Sequence, residues 1–324
     1  MADEEQQSID QITNEIDELE ADGFASEALA RWREAARQFE TPYLFYRLGR
    51  LAMDMEEWKE SEDALLQALE LAPEFPGPYD TLGLLSLELG DYQAAQEYFR
   101  SRLALEEDAG TYTLLGIAQD GLGMIPAARW SYGNAIKLDP AYEEAYYNLA
   151  MTFRIEEPEK ALPLLEKAVA LDPVYQLAHR ELGRALGKLD RYVEAEHHLR
   201  CSIDLDSSDG WAFLYLGVLL WQSGDLQASE AAYKQAIETW PESSTPYWCL
   251  AHFYEYQGRN EEAESFYETA LQKDPDDSEA NLRFGVYFRD IGKYATARVY
   301  LERALSLDPK SERIKLAISR LNQS

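Results

Sequence analysis

Arg180 and Arg184 stand four residues apart, with Lys188 four further on, in a chain that carries 60 acidic and 30 basic residues and a formal net charge of −30. Guanidinium groups at i and i+4 share one side of a helix and can grip a carboxylate through charge-assisted hydrogen bonds. Nearby acids such as Glu181, Asp190 and Glu144 offer the simpler use of these cations, mutual neutralisation. Other chemistry is sparse. His197 and His198 are adjacent while His179 and His252 stand alone, so no acid, base and nucleophile converge. The two cysteines, Cys201 and Cys249, lie far apart without clustered histidine, which suggests neither a disulfide nor a zinc site. The stretch "DLDSSDG" (204–210) is calcium-loop-like, but its glycine comes one residue late and Tyr215 stands where a bidentate glutamate belongs. "QDGLGM" lacks the lysine and hydroxyl of a phosphate loop. The expectation is a chain without catalysis, cofactor or metal.

The elements that carry these residues must come from a chain of 324 residues whose 46% hydrophobic content is ample for a core. Its acid excess disfavours nucleic acid and favours partners with a basic face. The longest apolar run is the eleven residues opening "WAFLYLGVLLWQSGD", Trp211–Trp221, short of the ~18 that a membrane span needs. The acidic start "MADEEQQSID" is unlike a secretory signal, so the sequence predicts a cytoplasmic protein that does not insert in membranes.

A two-residue signature recurs at steps of 34 or one fewer: Leu48-Gly49, Leu82-Gly83, Leu115-Gly116, Leu149-Ala150, Leu182-Gly183, Leu216-Gly217, Leu250-Ala251 and Phe284-Gly285. A bulky residue stands three positions earlier (Phe45, Tyr79, Tyr112, Tyr146, Phe213, Tyr247), except at His179 and Asn281. Thirteen positions after the signature, twelve in the fourth copy, a small residue follows: Ser61, Ala95, Ala128, Ala161, Ala195, Ser229, Ala263 or Ala297. A second small position lies seven residues on, where the second copy departs with Arg102, and proline closes six copies. Small residues at fixed contacts, with helical periodicity on both sides of a turn such as "LGDY", predict two closely packed antiparallel helices per unit.

This pattern resembles the tetratricopeptide repeat over residues 42–311, as eight units. The resemblance implies an all-α, right-handed superhelical solenoid of antiparallel helix pairs. Residues 1–8 read as an unordered acidic segment, 9–41 as a divergent helical hairpin, and 312–324 as a capping helix with Ile314, Ala317, Ile318 and Leu321 on one face.

In the sixth unit Phe213, Leu216, Gly217 and Leu220 occupy the positions that pack within a repeat. Trp211, Leu214, Val218 and Trp221 make a second apolar stripe roughly 130° away, which needs its own explanation. In the resembled family these positions line a concave groove that holds partner peptides. The equivalent positions of the seventh unit include Trp248 and His252, those of the fifth Arg180 and Arg184, and that of the fourth Arg154. Some co-chaperones of the family clamp a peptide's C-terminal carboxylate; Asn148 matches one member of that clamp, whereas Thr113, Ile117, Leu177 and Glu181 replace the others. The sequence therefore predicts a non-catalytic scaffold that binds a protein or peptide along this groove. A co-chaperone-like receptor for an acidic terminus, or a substrate-positioning subunit of an enzyme complex, are the alternatives.

Overall fold

The computed structural model describes residues 2–153 and 157–323, with side chains from Gln7 onward. Among the described residues there are nineteen α-helices and no strand. They fall into two units, 1–154 and 155–324. The first holds α1 (Ala2–Ala21), α2 (Ala25–Phe39), α3 (Pro42–Asp54), α4 (Trp58–Leu71), α5 (Pro76–Glu88), α6 (Tyr92–Leu105), α7 (Ala109–Gly121), α8 (Ile125–Leu138) and α9 (Glu143–Met151). The second holds α10 (Pro158–Leu171), α11 (Gln176–Lys188), α12 (Tyr192–Leu205), α13 (Gly210–Ser223), α14 (Leu226–Thr239), α15 (Ser244–Tyr256), α16 (Asn260–Lys273), α17 (Ser278–Asp290), α18 (Tyr294–Leu307) and α19 (Glu312–Leu321). Helix α1 begins at Ala2 and so includes most of the segment that sequence reasoning leaves unordered.

Within each unit every helix packs on its sequence neighbour, and the first helices of successive repeats also touch directly: α3, α5, α7 and α9 in one, α11, α13, α15, α17 and α19 in the other. Each unit thus presents a continuous wall of first helices. The signature glycine, present in six of the eight copies, brings the two helices of its pair close. A Cβ on Gly116 would meet the Tyr132 ring at 2.4 Å, and one on Gly217 the Tyr233 ring at 2.8 Å, so no larger residue fits without displacing a buried aromatic. Opposite these contacts Ala95, Ala128, Ala195, Ala263 and Ala297 are fully buried, and Ser61 and Ser229 donate to the Gly49 and Gly217 carbonyls at 2.7 and 2.8 Å.

Bulk is not what the position three before the signature requires. Tyr79, Tyr146 and Tyr247 donate their hydroxyls to the carbonyls of Pro73, Pro140 and Pro241, at 3.1, 3.2 and 3.0 Å. Two apparent exceptions do the same: His179 reaches Pro173 at 3.1 Å and Asn281 reaches Pro275 at 3.0 Å. Phe45, Tyr112 and Phe213 have no proline six residues earlier. At five of the six closing prolines the position supplies a donor to a turn carbonyl, while after Pro309 the equivalent Lys315 bonds Glu312 instead.

The turn inside most pairs uses glycine with positive φ, at Gly90, Gly123, Gly224, Gly258 and Gly292, but Glu56 and Asp190 hold the same place with φ of 61° and 57°. A left-handed residue with a Cβ is strained by about 1 kcal/mol. Glu56→Gly is therefore expected to raise unfolding free energy by about 0.5 kcal/mol, net of glycine's greater unfolded-state entropy. Urea unfolding checks this, and a fall in the midpoint would refute it.

Candidate protein-interaction wall

On α13 the Trp211 indole crosses Trp240 edge-on at 5.4 Å, lies 5.8 Å from Tyr215, and remains 41% exposed. One to two turns on, Val218 is 39% exposed, and from α15 Tyr256 is 70% exposed. Trp221 joins the two helices, meeting Tyr256 at 4.9 Å, His252 at 5.3 Å and Phe253 at 5.7 Å. Trp211, Val218 and Tyr256 thus leave apolar surface open on the first-helix wall of the second unit. An exposed apolar strip on a charged protein usually marks a contact surface.

Leu214 is not part of that surface. It is 2% exposed and belongs to the core cluster that includes Leu250, Phe253 and Tyr254, because α13 leans on α15 on this side. Trp248 and His252 are half-buried. The Arg283 guanidinium lies 5.6 Å from the Trp248 ring and its Nη1 is 3.3 Å from His252 Nε2. Burial, reinforced by Arg283, pushes the His252 pKa down to about 4. A neutral ring follows, whose Nε2 can accept from Arg283.

The basic spot is an ion-pair knot. Arg180 donates to Asp209 at 2.9 Å and to Glu181 at 3.3 Å, Arg184 donates to Glu181 at 2.7 Å, and both carboxylates are buried. Asp209 also accepts from Gln176 at 2.5 Å and caps α13 through the Trp211 amide at 3.0 Å. Two acids match two arginines, so the knot has no spare charge for an incoming carboxylate; it fixes α11 to the start of α13. Arg184 also lies 5.5 Å from the Tyr215 ring beside Trp211. Lys188 is exposed and has no ion pair among the described residues. Asn148 is half-buried on α9, in the other unit, and Arg154 lies outside the described residues. Glu181→Gln should lower unfolding free energy by about 1–3 kcal/mol, by stranding part of two shielded guanidiniums. Adding Arg184→Met should recover part of the loss, and additive effects in urea unfolding would refute the coupling.

The remaining histidines form a second group. The Pro173 carbonyl can only accept, so His179 carries its proton on Nε2; its Nδ1 then accepts from His198 Nδ1, 3.0 Å away. His197 Nε2 lies 3.7 Å from Cys201 Sγ. Among the described residues no group of three His, Cys, Asp or Glu side chains could hold a metal ion. Burial lowers the His179 pKa, and burial together with the neighbouring histidines pushes that of His198 down to about 4. Below pH ~6.5 the unfolded chain takes up protons that these folded rings refuse, so their stabilisation is complete above that pH and lost as pH falls towards 4. The urea midpoint should fall between pH 7.5 and 5, and His179→Tyr with His198→Gln should shrink that fall. An unchanged fall would refute the assignment.

Glu181 takes the neutralising role that the sequence offers it, whereas Tyr215, Asp209 and Arg283 are parts of the wall that sequence reasoning leaves out of the site. Asp209 was legible as an N-cap, but its hold on Arg180 spans 29 residues and has no local signature.

No helix among the described residues is long and apolar enough to cross a membrane. Tetratricopeptide repeat models match residues 42–75, 77–108 and 278–311, 153–209 and 181–244, and 220–283. Among curated proteins the chain is similar to the protein O-mannosyl-transferase Tmtc1 of Drosophila melanogaster, with 28% identity over 45% of this chain and 18% of that one. It is also similar to the BBSome complex member BBS4 homolog of the same fly, with 22% identity over 59% of this chain and 40% of that one. Anaphase-promoting complex subunit 3 of Schizosaccharomyces pombe is 23% identical over 54% of this chain and 26% of its own length. The chain thus spans well under half the length of these relatives. Among solved structures, a tetratricopeptide repeat protein from Parabacteroides merdae superposes with a TM-score of 0.65 and 21% identity, covering 76% of this chain and 99% of that one. The APC/C hetero-tetramer Cut9-Hcn1 gives 0.59 and 18%, covering 86% and 55%. With the recurring helix pairs, their glycine contacts and family matches along both units, this chain belongs to the tetratricopeptide repeat family.

Proposed function

We propose that the chain is a non-catalytic scaffold that binds a partner protein along the first-helix wall of its second unit. The observation that carries this reading is the exposed apolar strip of Trp211, Val218 and Tyr256, set on helices whose core-facing sides are already filled. The partner supplies apolar side chains to the strip, and the −30 charge of the chain steers a basic face towards it. The similar proteins named as members of the BBSome and of the anaphase-promoting complex support a role in assembly. The test compares proteins retained by the wild-type chain with those retained by the Trp211→Ala, Tyr256→Ala double variant, quantified by mass spectrometry. A partner lost with the double variant supports the reading; an identical retained set sinks it.

A further inference from the structure

We propose that a cavity in the first unit, at the seam of α6, α7 and α8, is a second docking site, for a protein segment in which a large apolar side chain adjoins a carboxylate. The cavity measures about 510 Å³, within the range of ligand pockets, and all of its lining comes from these three helices. Leu103 of α6 with Tyr112 and Leu115 of α7 line its apolar part, and Tyr112 and Leu115 are buried. Trp130 of α8 stands at the rim, 60% exposed, with its ring edge-on to Tyr112 at 5.9 Å.

The residues around this seam differ from those of most repeats at two places. No proline stands six residues before Tyr112, so its hydroxyl turns to the Glu107 carboxylate at 3.0 Å. Arg102 occupies the place where other repeats have alanine or serine, and its side chain is drawn to Asp80 at 3.0 Å and to the Glu106 carbonyl at 3.1 Å. A groove of about 470 Å³ recurs at the equivalent place of the first repeat, lined there by Phe45, Leu48, Glu60 and Asp63, but Glu60 takes up Arg33, the counterpart of Arg100, whereas here Ala127 and Trp130 stand in place of Glu60 and Asp63.

Charge selects the occupant. Arg102 is neutralised by Asp80, and Arg129 is held by the Thr152 hydroxyl and carbonyl, both at 2.9 Å. Arg100 lines the cavity, is exposed, and has no ion pair among the described residues, in a chain where acids outnumber bases two to one. An apolar recess beside an unmatched guanidinium fits an aromatic or large aliphatic side chain followed by an aspartate or glutamate. The site lies in the other unit from the Trp211 strip, so it adds a contact to the scaffold independent of that reading.

The test uses the full chain and two blocked peptides, acetyl-Gly-Phe-Asp-Gly-amide and acetyl-Gly-Phe-Lys-Gly-amide. The readout is the Trp130 indole N–H resonance, assigned with Trp130→Phe. The aspartyl peptide is expected to bind at least about fivefold tighter than the lysyl one, and Arg100→Glu to reverse the order. Ala104→Leu, at an exposed helical position on the cavity, is expected to weaken binding about tenfold with the melting curve unchanged. Trp211→Ala with Tyr256→Ala should leave this binding intact even if the strip has no partner. Equal affinities, no binding by either peptide, or indifference to Ala104→Leu would overturn the proposal. Self-association in sedimentation that Ala104→Leu abolishes would overturn it too, by assigning the cavity to a second copy.

Discussion

Phe284→Ala is expected to lower unfolding free energy by about 3–5 kcal/mol, the range for deleting a buried phenylalanine ring. Phe284 is 1% exposed and stands at the centre of an aromatic group, with ring centroids of Phe288 at 4.4 Å, Tyr300 at 4.7 Å and Tyr267 at 5.1 Å. Seven of the eight repeats carry leucine at this position, so the ring is a local choice that binds α16, α17 and α18 together. Phe284→Leu should cost less than about 1.5 kcal/mol, because it keeps most of the volume and loses the ring contacts. Repeats take most of their stability from neighbours, so hydrogen exchange should accelerate in α15 to α19 and leave α2 to α8 unchanged. An alanine variant within 1 kcal/mol of wild type would show that the cluster contributes little.

Trp211→Ala and Tyr256→Ala should each weaken partner affinity by roughly thirtyfold, equivalent to about 2 kcal/mol for an interface aromatic. Both side chains expose substantial area, 41% and 70%, so the loss should appear in binding more than in melting temperature. Val193, 84% exposed on the second helix α12, supplies the control: Val193→Ser should leave affinity unchanged. Trp221→Ala separates the two roles less well. Its contacts with Phe253 and His252 predict loss of stability along with loss of binding. Affinity unchanged by both exposed-site variants, measured by calorimetry against the captured partner, would remove the strip from the interface.

What the sequence by itself determined is the repeat: its period, its helix pairs and the small residues at their close contacts. These are contacts between helices adjacent in the chain, so each is made at nearly constant spacing; the first small position is alanine or serine in all eight copies, and the signature carries glycine in six and alanine in two. Gly116 against Tyr132 and Gly217 against Tyr233 are such contacts. The tertiary structure decided which face of a first helix stays open. Leu214 and Val218 share one stripe in sequence, yet one is 2% and the other 39% exposed, because the lean of α13 on α15 covers the first and not the second. It likewise turned Arg180 and Arg184 from a basic spot into a neutral knot, by bringing Asp209 from 29 residues away to complete the pairing with Glu181. Residue type fixes which side chains prefer to be dry or paired; the packing of one repeat on the next fixes which of them find a partner within the chain.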